Sequence, residues 1–208
     1  MAQVLKEETR KKIVEAAKDE FLHYGYDDAN MRRIAIKSNM TVGNLYRYFK
    51  SKEDLNYQIV NGVVNAIDSM VKNLTGDKIA FFNENFSFPE SIEVLKNVIN
   101  ELADNIVDIY MSYKDEFNIL MMGSELNNSL MKWFTNLINF LITSTHAGKD
   151  PDQVAMLARS YCVAMISGLK ELFWINDVDI DRLKDLVKIY LQGFVYMLQI
   201  DIRKYIGE

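Results

Sequence analysis

The residues of this chain whose types and spacing suit them to chemistry are Val42, Asn44, Tyr46, Arg47 and Tyr48, followed by Lys50 and Lys52. They form a mixture of small, amide, aromatic and basic groups, which points to recognition of a DNA major groove rather than to bond-making. Such side chains need a rigid mount, and residues 30–55, NMRRIAIKSNMTVGNLYRYFKSKEDL, spell two short helices with a tight turn between them. Ile34, Ala35, Leu45 and Phe49 supply the apolar contacts that clamp the pair at a steep angle. Asn39 falls where the turn wants a left-handed residue, which Asn tolerates better than a β-branched side chain does. Asn30 and Thr41 stand at the N-cap positions of the two helices.

Residues 41–55, TVGNLYRYFKSKEDL, resemble the signature of the tetracycline-repressor (TetR) family of bacterial transcriptional regulators. Upstream, Ile13, Ala16, Ala17, Phe21, Gly25, Tyr26, Ile34 and Ala35 fall where that family keeps its first helix, its glycine corner and its second helix. The resemblance covers roughly the first quarter of the chain. It implies a helix-turn-helix DNA-binding domain over residues 1–51 and a ligand-binding and dimerisation domain over residues 52–208. It further implies a homodimer on a palindromic operator, most often a repressor, released by a small-molecule effector. On this reading Val42, Asn44 and Arg47 touch bases: valine a thymine methyl, asparagine an adenine edge, arginine a guanine edge or a phosphate. Thr41, Tyr46, Tyr48, Lys50, Lys52 and Arg32 are the expected phosphate contacts. Three positions depart from the family pattern: Ala29 where Thr is frequent, Met31 where a small or hydroxyl residue is frequent, and Asn39 where Gly is frequent. The first two put a phosphate contact in question.

The chain has 208 residues, 49% hydrophobic and 25% charged, enough to bury a substantial core. Two prolines and nine glycines leave few turns, so an all-α architecture is expected. The sequence holds no apolar run of membrane-spanning length, and MAQVLKEETRKK lacks the apolar centre of a signal peptide, so a cytoplasmic protein without a membrane partner is expected. The formal charge of −5 becomes informative when divided. Residues 1–55 carry eleven Lys and Arg against nine Asp and Glu, the remainder thirteen against twenty. The basic groups Lys6, Arg10, Lys11, Lys12, Arg32, Arg33, Lys37, Arg47, Lys50 and Lys52 collect where phosphates would lie. The bland alternative for any charge cluster is a solvated helix face.

Apolar spacing predicts about nine helices. The first covers about residues 7–24, with Ile13, Ala17, Phe21 and Tyr24 on one face and Gly25 as its stop. Ser51 caps a fourth over residues 52–74, carrying Leu55, Ile59, Val63 and Ile67. Residues 74–89, with Phe81, Phe82, Phe86 and Phe88, read as a connector that packs on the body or closes over a cavity. Helices are then expected over 91–113, 114–122 and 124–145, a loop over 146–150, an eighth helix from Pro151, and a ninth.

The last two helices bear on assembly. Ser160, Ala164 and Gly168 make a ridge of small residues beside the stripe Leu157, Tyr161, Met165, Leu169 and Leu172. The ninth helix is apolar on two sides, with Leu183, Leu186, Val187, Tyr190, Leu191, Phe194 and Leu198 on one and Ile189, Val195, Tyr196, Met197 and Ile200 on the other. A two-fold four-helix interface through Ser160, Ala164, Gly168, Leu186, Tyr190, Phe194 and Met197 would cover it, the alternative being a wholly internal core helix. The central helices are dense in aromatics and Met, and Tyr110, Phe117, Met121, Trp133, Tyr161 and Met165 are the candidate lining of an effector pocket, each equally suited to plain core packing.

Catalytic parts are scarce. His23 and His146 are far apart, Cys162 has apolar helix neighbours, and no phosphate loop, nucleophile elbow or HExxH run occurs, so neither enzyme, metal nor cofactor is expected. Glu101, Asp104 and Asp108 share a helix face and suit a cationic ligand or a solvated stripe. The second functional reading is an all-α binding or scaffold protein with a degenerate helix-turn-helix module, supported by the overall acidity and by Ala29 and Met31.

Overall fold

The computed structural model describes residues 2–85, 90–123, 129–145, 150–174 and 179–199, and among them every regular element is an α-helix. The nine are α1 (Ala2–Asp28), α2 (Met31–Lys37), α3 (Val42–Leu45), α4 (Lys52–Asn85), α5 (Glu90–Ser112), α6 (Lys114–Met122), α7 (Ser129–Thr145), α8 (Pro151–Trp174) and α9 (Ile180–Gln199). Gly25 has φ 73°, ψ 175°, a conformation that glycine adopts without strain, and it kinks α1 rather than ending it. Tyr24, expected on the buried face, is instead 43% exposed.

The expected connector is a second correction: α4 continues through it to Asn85. Residues 75–85 contain no proline, and the lone Gly76 costs only about 1 kcal/mol against alanine, too little to stop a propagating helix. Phe86, Phe88 and Pro89, residues 124–128, His146 and Ile200 lie outside the described residues, as do the side chains of Phe81, Phe82 and Leu198.

The chain forms two compact units, one of Met1–Ala66 with Tyr110–Leu126, the other of Ile67–Ile109 with Asn127–Glu208. In the first, α1 packs on α2 and on α6, and α2 on α3. Ile13, Ala17, Phe21, Ile34, Ala35, Leu45, Phe49, Leu55 and Val63 are buried there. Each large apolar side chain taken out of water contributes about 1.5–3 kcal/mol. Ala29 and Met31 are buried as well, which accounts for their apolar character at the two departures from the family pattern. Lys18 Nζ reaches Glu116 Oε1 at 2.6 Å, tying α1 to α6.

In the second unit α7, α8 and α9 pack mutually. The acidic stripe of α5 is engaged by α9: Asp104 pairs with Lys188 and Asp108 with Lys184, each at 2.7 Å, and Gln192 Nε2 donates to Asn100 Oδ1 at 2.6 Å. Cys162 is buried, its thiol facing the Met131 carbonyl at 3.6 Å, and burial pushes its pKa up. Tyr190 lies across Gly168, and its hydroxyl donates to the carbonyls of Met165 (3.0 Å) and Ala164 (3.3 Å). Part of the small ridge on α8 is therefore used within the chain.

A Cβ added at Gly168 would stand 2.0 Å from the Tyr190 oxygen and 2.5 Å from its Cζ, so Tyr190 must move and release both carbonyls. Gly168→Ala should destabilise the protein by about 1–3 kcal/mol, with partial recovery in the Gly168→Ala, Tyr190→Phe double variant. Thermal unfolding checks this, and an unchanged melting temperature for the single variant would contradict the packing.

Candidate nucleic-acid interface

The recognition element begins at the turn. The amide of Asn39 donates to the Ile36 carbonyl (3.0 Å) with φ at +57°, and that of Met40 to the Ala35 carbonyl (2.9 Å), which reverses the chain between α2 and α3. Thr41 Oγ1 accepts from the Asn44 amide at 3.3 Å, and Asn30 Oδ1 from the Arg32 amide at 2.8 Å, satisfying donors that a helix N-terminus leaves open. Past Leu45 the helix tightens: the amides of Arg47 and Tyr48 reach back only three residues, to Asn44 and Leu45. With Leu45 and Phe49 fully buried, Asn44, Tyr46 and Arg47 stand exposed and Val42 and Tyr48 half-buried.

Two polar networks hold this element against α1. Glu20 is fully buried, and its Oε1 accepts from the Asn30 amide at 3.0 Å and from Arg33 Nε at 2.6 Å. Arg33 also donates to the Asp28 carbonyl at 2.7 Å and stacks over the Tyr24 ring at 4.2 Å, the role of that exposed tyrosine. A lone buried carboxylate would be costly, and Arg33 compensates it. In the second network Lys52 Nζ donates to the carbonyls of Tyr26 (2.7 Å), Asp27 (3.1 Å) and Ala29 (3.3 Å), and lies 4.6 Å from the Tyr26 ring centre. Tyr26 in turn donates to Glu53 at 3.0 Å.

The basic residues thus divide. Arg33, Lys37 and Lys52 are engaged by Glu20, by Asp19 and by carbonyls respectively, and Arg10 lies over the Phe49 ring at 4.7 Å. Arg32, Arg47 and Lys50 are exposed and form no ion pair with a described residue. Ile36, 70% exposed, sits one turn from Arg32 on the same side of α2. Sequence reading missed it, although its place off the buried set Ile34, Ala35 and Ser38 was the available signal. Glu20 was missed too, although it falls seven residues after Ile13 and three after Ala17, inside the apolar stripe.

Asp54 closes the corner after Phe49. Its carboxylate accepts from the Lys50 backbone amide (2.8 Å) and from Gln58 Nε2 (2.8 Å), while Ser51 Oγ caps α4 by accepting from the Asp54 backbone amide. The Lys50 amide first, then Gln58, and after them the charges of Lys50 and Arg10 hold the Asp54 pKa below its ordinary 3.8.

The residues proposed to line a pocket fall in separate places. Tyr110, Phe117 and Met121 are buried in the first unit, with the Tyr110 and Phe117 rings edge-on at 5.5 Å. Trp133 and Met165 are buried in the second unit, where Tyr161 is half-buried. Of the expected dimer residues, Ser160, Ala164 and Met197 are exposed and Gly168, Leu186, Tyr190 and Phe194 half-buried. Met156, Val163, Ile189 and Tyr196 add exposed apolar surface on the same two helices. No helix among the described residues is long and apolar enough to cross a membrane, and no cluster of potential metal ligands occurs among them.

Residues 13–56 match the family model for bacterial regulatory proteins of the tetR family. The chain is similar to the HTH-type transcriptional regulator QacR of Staphylococcus aureus, at 23% identity over 77% of this chain and 97% of that protein. Its fold is similar to that of a TetR-like transcriptional regulator from Rhodococcus sp. RHA1 (TM-score 0.55, 14% identity, 96% and 97% of the two chains). It also resembles NalD, the secondary repressor of the MexAB-OprM multidrug efflux pump in Pseudomonas aeruginosa (TM-score 0.52, 18% identity, 91% and 96%).

Lys52→Met keeps the aliphatic stem but leaves three carbonyls without their donor, and should cost about 1–3 kcal/mol. The loss should appear in thermal unfolding and as faster amide exchange at the C-terminal end of α1. Native stability combined with lost DNA affinity would instead mark Lys52 as a phosphate ligand only. The lowered Asp54 pKa makes a second expectation, about acid. A carboxylate whose folded pKa is depressed stabilises above its unfolded value, and that contribution is lost as pH falls through the folded one. Stability of the native protein should therefore fall below about pH 4 more steeply than that of Asp54→Asn. Parallel acid limbs in the two urea-unfolding series would refute it.

Proposed function

We propose that this chain, whose residues 13–56 match the family model for bacterial regulatory proteins of the tetR family, is a member of that family and a dimeric, ligand-responsive DNA-binding repressor. Residues 1–51 read DNA, and residues 52–208 carry dimerisation and effector binding. The observation that carries the reading is a recognition helix whose buried side is locked by Leu45 and Phe49 while Asn44, Tyr46 and Arg47 face outward. Asn44, Arg47 and the half-buried Val42 touch base edges. Thr41, Tyr46, Tyr48, Lys50 and Arg32 meet phosphates and fix register. Lys52 acts chiefly by holding the end of α1, so its loss would weaken DNA binding even without a phosphate contact.

Exposed apolar residues on α8 and α9 support the dimer, because a monomer would leave Met156, Ile189, Tyr196 and Met197 in water. Two copies related by a two-fold axis present their recognition helices to half-sites about 34–36 Å apart, or slightly more, in an inverted repeat. NalD is named as a repressor and QacR as a transcriptional regulator, which favours repression here. The burial of Ala29 and Met31 removes one support of the scaffold reading, since a core position explains both residues.

Selection of duplexes from a random DNA pool by the purified protein should enrich an inverted repeat, with affinity falling steeply as salt rises. Arg47→Ala should cost about 1–3 kcal/mol and relax preference at one position of each half-site, and Lys50→Ala should weaken all sequences alike while lowering the salt slope by about one. Neither side chain is bonded into the fold, so both variants should melt like the native protein. A folded dimer that enriches nothing would overturn the repressor reading.

A further inference from the structure

Among the described residues of the second unit, one buried side-chain polar atom has no hydrogen-bond partner. Trp133 is 5% exposed, and its indole Nε1 has no hydrogen-bond partner. The other atoms left so among the described residues, Glu20 Oε2 and Asn56 Oδ1, are acceptors in the first unit. An unpaired buried donor costs about 1–3 kcal/mol, and native chains rarely keep one without a use. The opposite side of α7 is satisfied, with the Cys162 thiol facing the Met131 carbonyl and bonded to Thr135.

The Phe134 ring that packs on Trp133 walls a void that Trp133 itself does not line. The Trp133 and Phe134 rings meet edge-on at 5.1 Å, and Phe134 walls a cavity of about 10 Å³ together with Leu137, Met165, Leu191 and Phe194. Leu137 is one helical turn beyond Trp133 on the same face of α7. The cavity has room for one water and offers it no polar partner, so it does not supply the missing acceptor. A ligand that reached the indole N–H from this space would have to displace Phe134, with the flexible Met165 giving way.

We propose that the effector is a neutral apolar molecule bearing a carbonyl-type oxygen, which accepts a hydrogen bond from Trp133 Nε1 while its apolar body fills the space between α7, α8 and α9. This rests on the reading of the C-terminal body as the effector site. A charged group is disfavoured, because walls of this composition would strip its hydration and return nothing.

Two isosteric probes test it: acetophenone, and α-methylstyrene, in which a methylene replaces the oxygen. The chain has two tryptophans, hence two indole N–H resonances, and Trp174→Phe, at an exposed site, assigns them without touching the core. Calorimetric titration should show acetophenone binding about tenfold more tightly than α-methylstyrene. Acetophenone should also move the Trp133 indole proton downfield, and α-methylstyrene should not. The preference should vanish in Trp133→Phe, and if that variant does not fold, the resonance shift in the otherwise native chain carries the test. Equal binding of both probes with an unmoved indole signal would overturn the hydrogen bond while leaving the cavity in place. Binding of neither would overturn the cavity reading itself.

Discussion

The proposed recognition helix has four regular residues, Val42–Leu45, and cannot hold its own shape, so the placing of its exposed side chains depends on how it is held. Isolated helices shorter than about 12–15 residues are marginal in water, so the geometry must come from tertiary contacts. Leu45 and Phe49 supply the apolar part from below. The left-handed Asn39 fixes the approach, and Thr41 and Ser51 fix the two helix starts on either side. Glu20 and Lys52 then fasten the surrounding helices from opposite ends. The carboxylate takes the amide just before α2, and the ammonium gathers the carbonyls at the end of α1. One is an anion at a helix N-terminus and the other a cation at a helix C-terminus, the arrangement that backbone dipoles favour.

This division changes what the charge of the N-terminal segment means. Counting Lys and Arg treats every cation as available to phosphate, whereas Arg33, Lys37 and Lys52 already have partners inside the module. The outward field comes from fewer groups, with Arg32, Arg47 and Lys50 foremost. The acidic surplus beyond residue 55 is partly neutralised too, since Lys184 and Lys188 cover Asp108 and Asp104. On the proposed function, net charge describes the long-range approach of the molecule to DNA, while the short-range contacts depend on which cations the fold has left uncommitted.

Local signals were legible where the chain itself supplies the answer within a few residues. The caps Asn30, Thr41 and Ser51, the turn at Asn39 and the clamp of Ile34, Ala35, Leu45 and Phe49 are short-range patterns, and each is present as read. Partners far apart in sequence were not legible. Lys52 bonds to carbonyls more than twenty residues away, and nothing in its neighbourhood distinguishes it from the exposed Lys50. The stretch after residue 74 misled for a different reason: a rich set of Phe and polar residues looks irregular, yet helix propagation needs only the absence of a strong breaker. Aromatic density in the central helices gave no address, because Tyr110 and Phe117 belong to one compact unit and Trp133 and Met165 to the other.

The small size of the void beside Phe134 constrains how an effector could act. A cavity of about 10 Å³ does not hold an organic molecule, so such a ligand must select or create a more open packing of α7, α8 and α9. Moving a two-state equilibrium from nearly all closed to nearly all open takes about 10⁴-fold preferential binding to the open form. One hydrogen bond to an orphan indole supplies about a factor of ten, leaving roughly a thousandfold to come from apolar burial. At about 25 cal/mol per Å², that is of the order of 160 Å² of apolar surface, the scale of one aromatic ring with a short substituent. Burial therefore drives the opening, and the hydrogen bond selects which apolar molecule can use it.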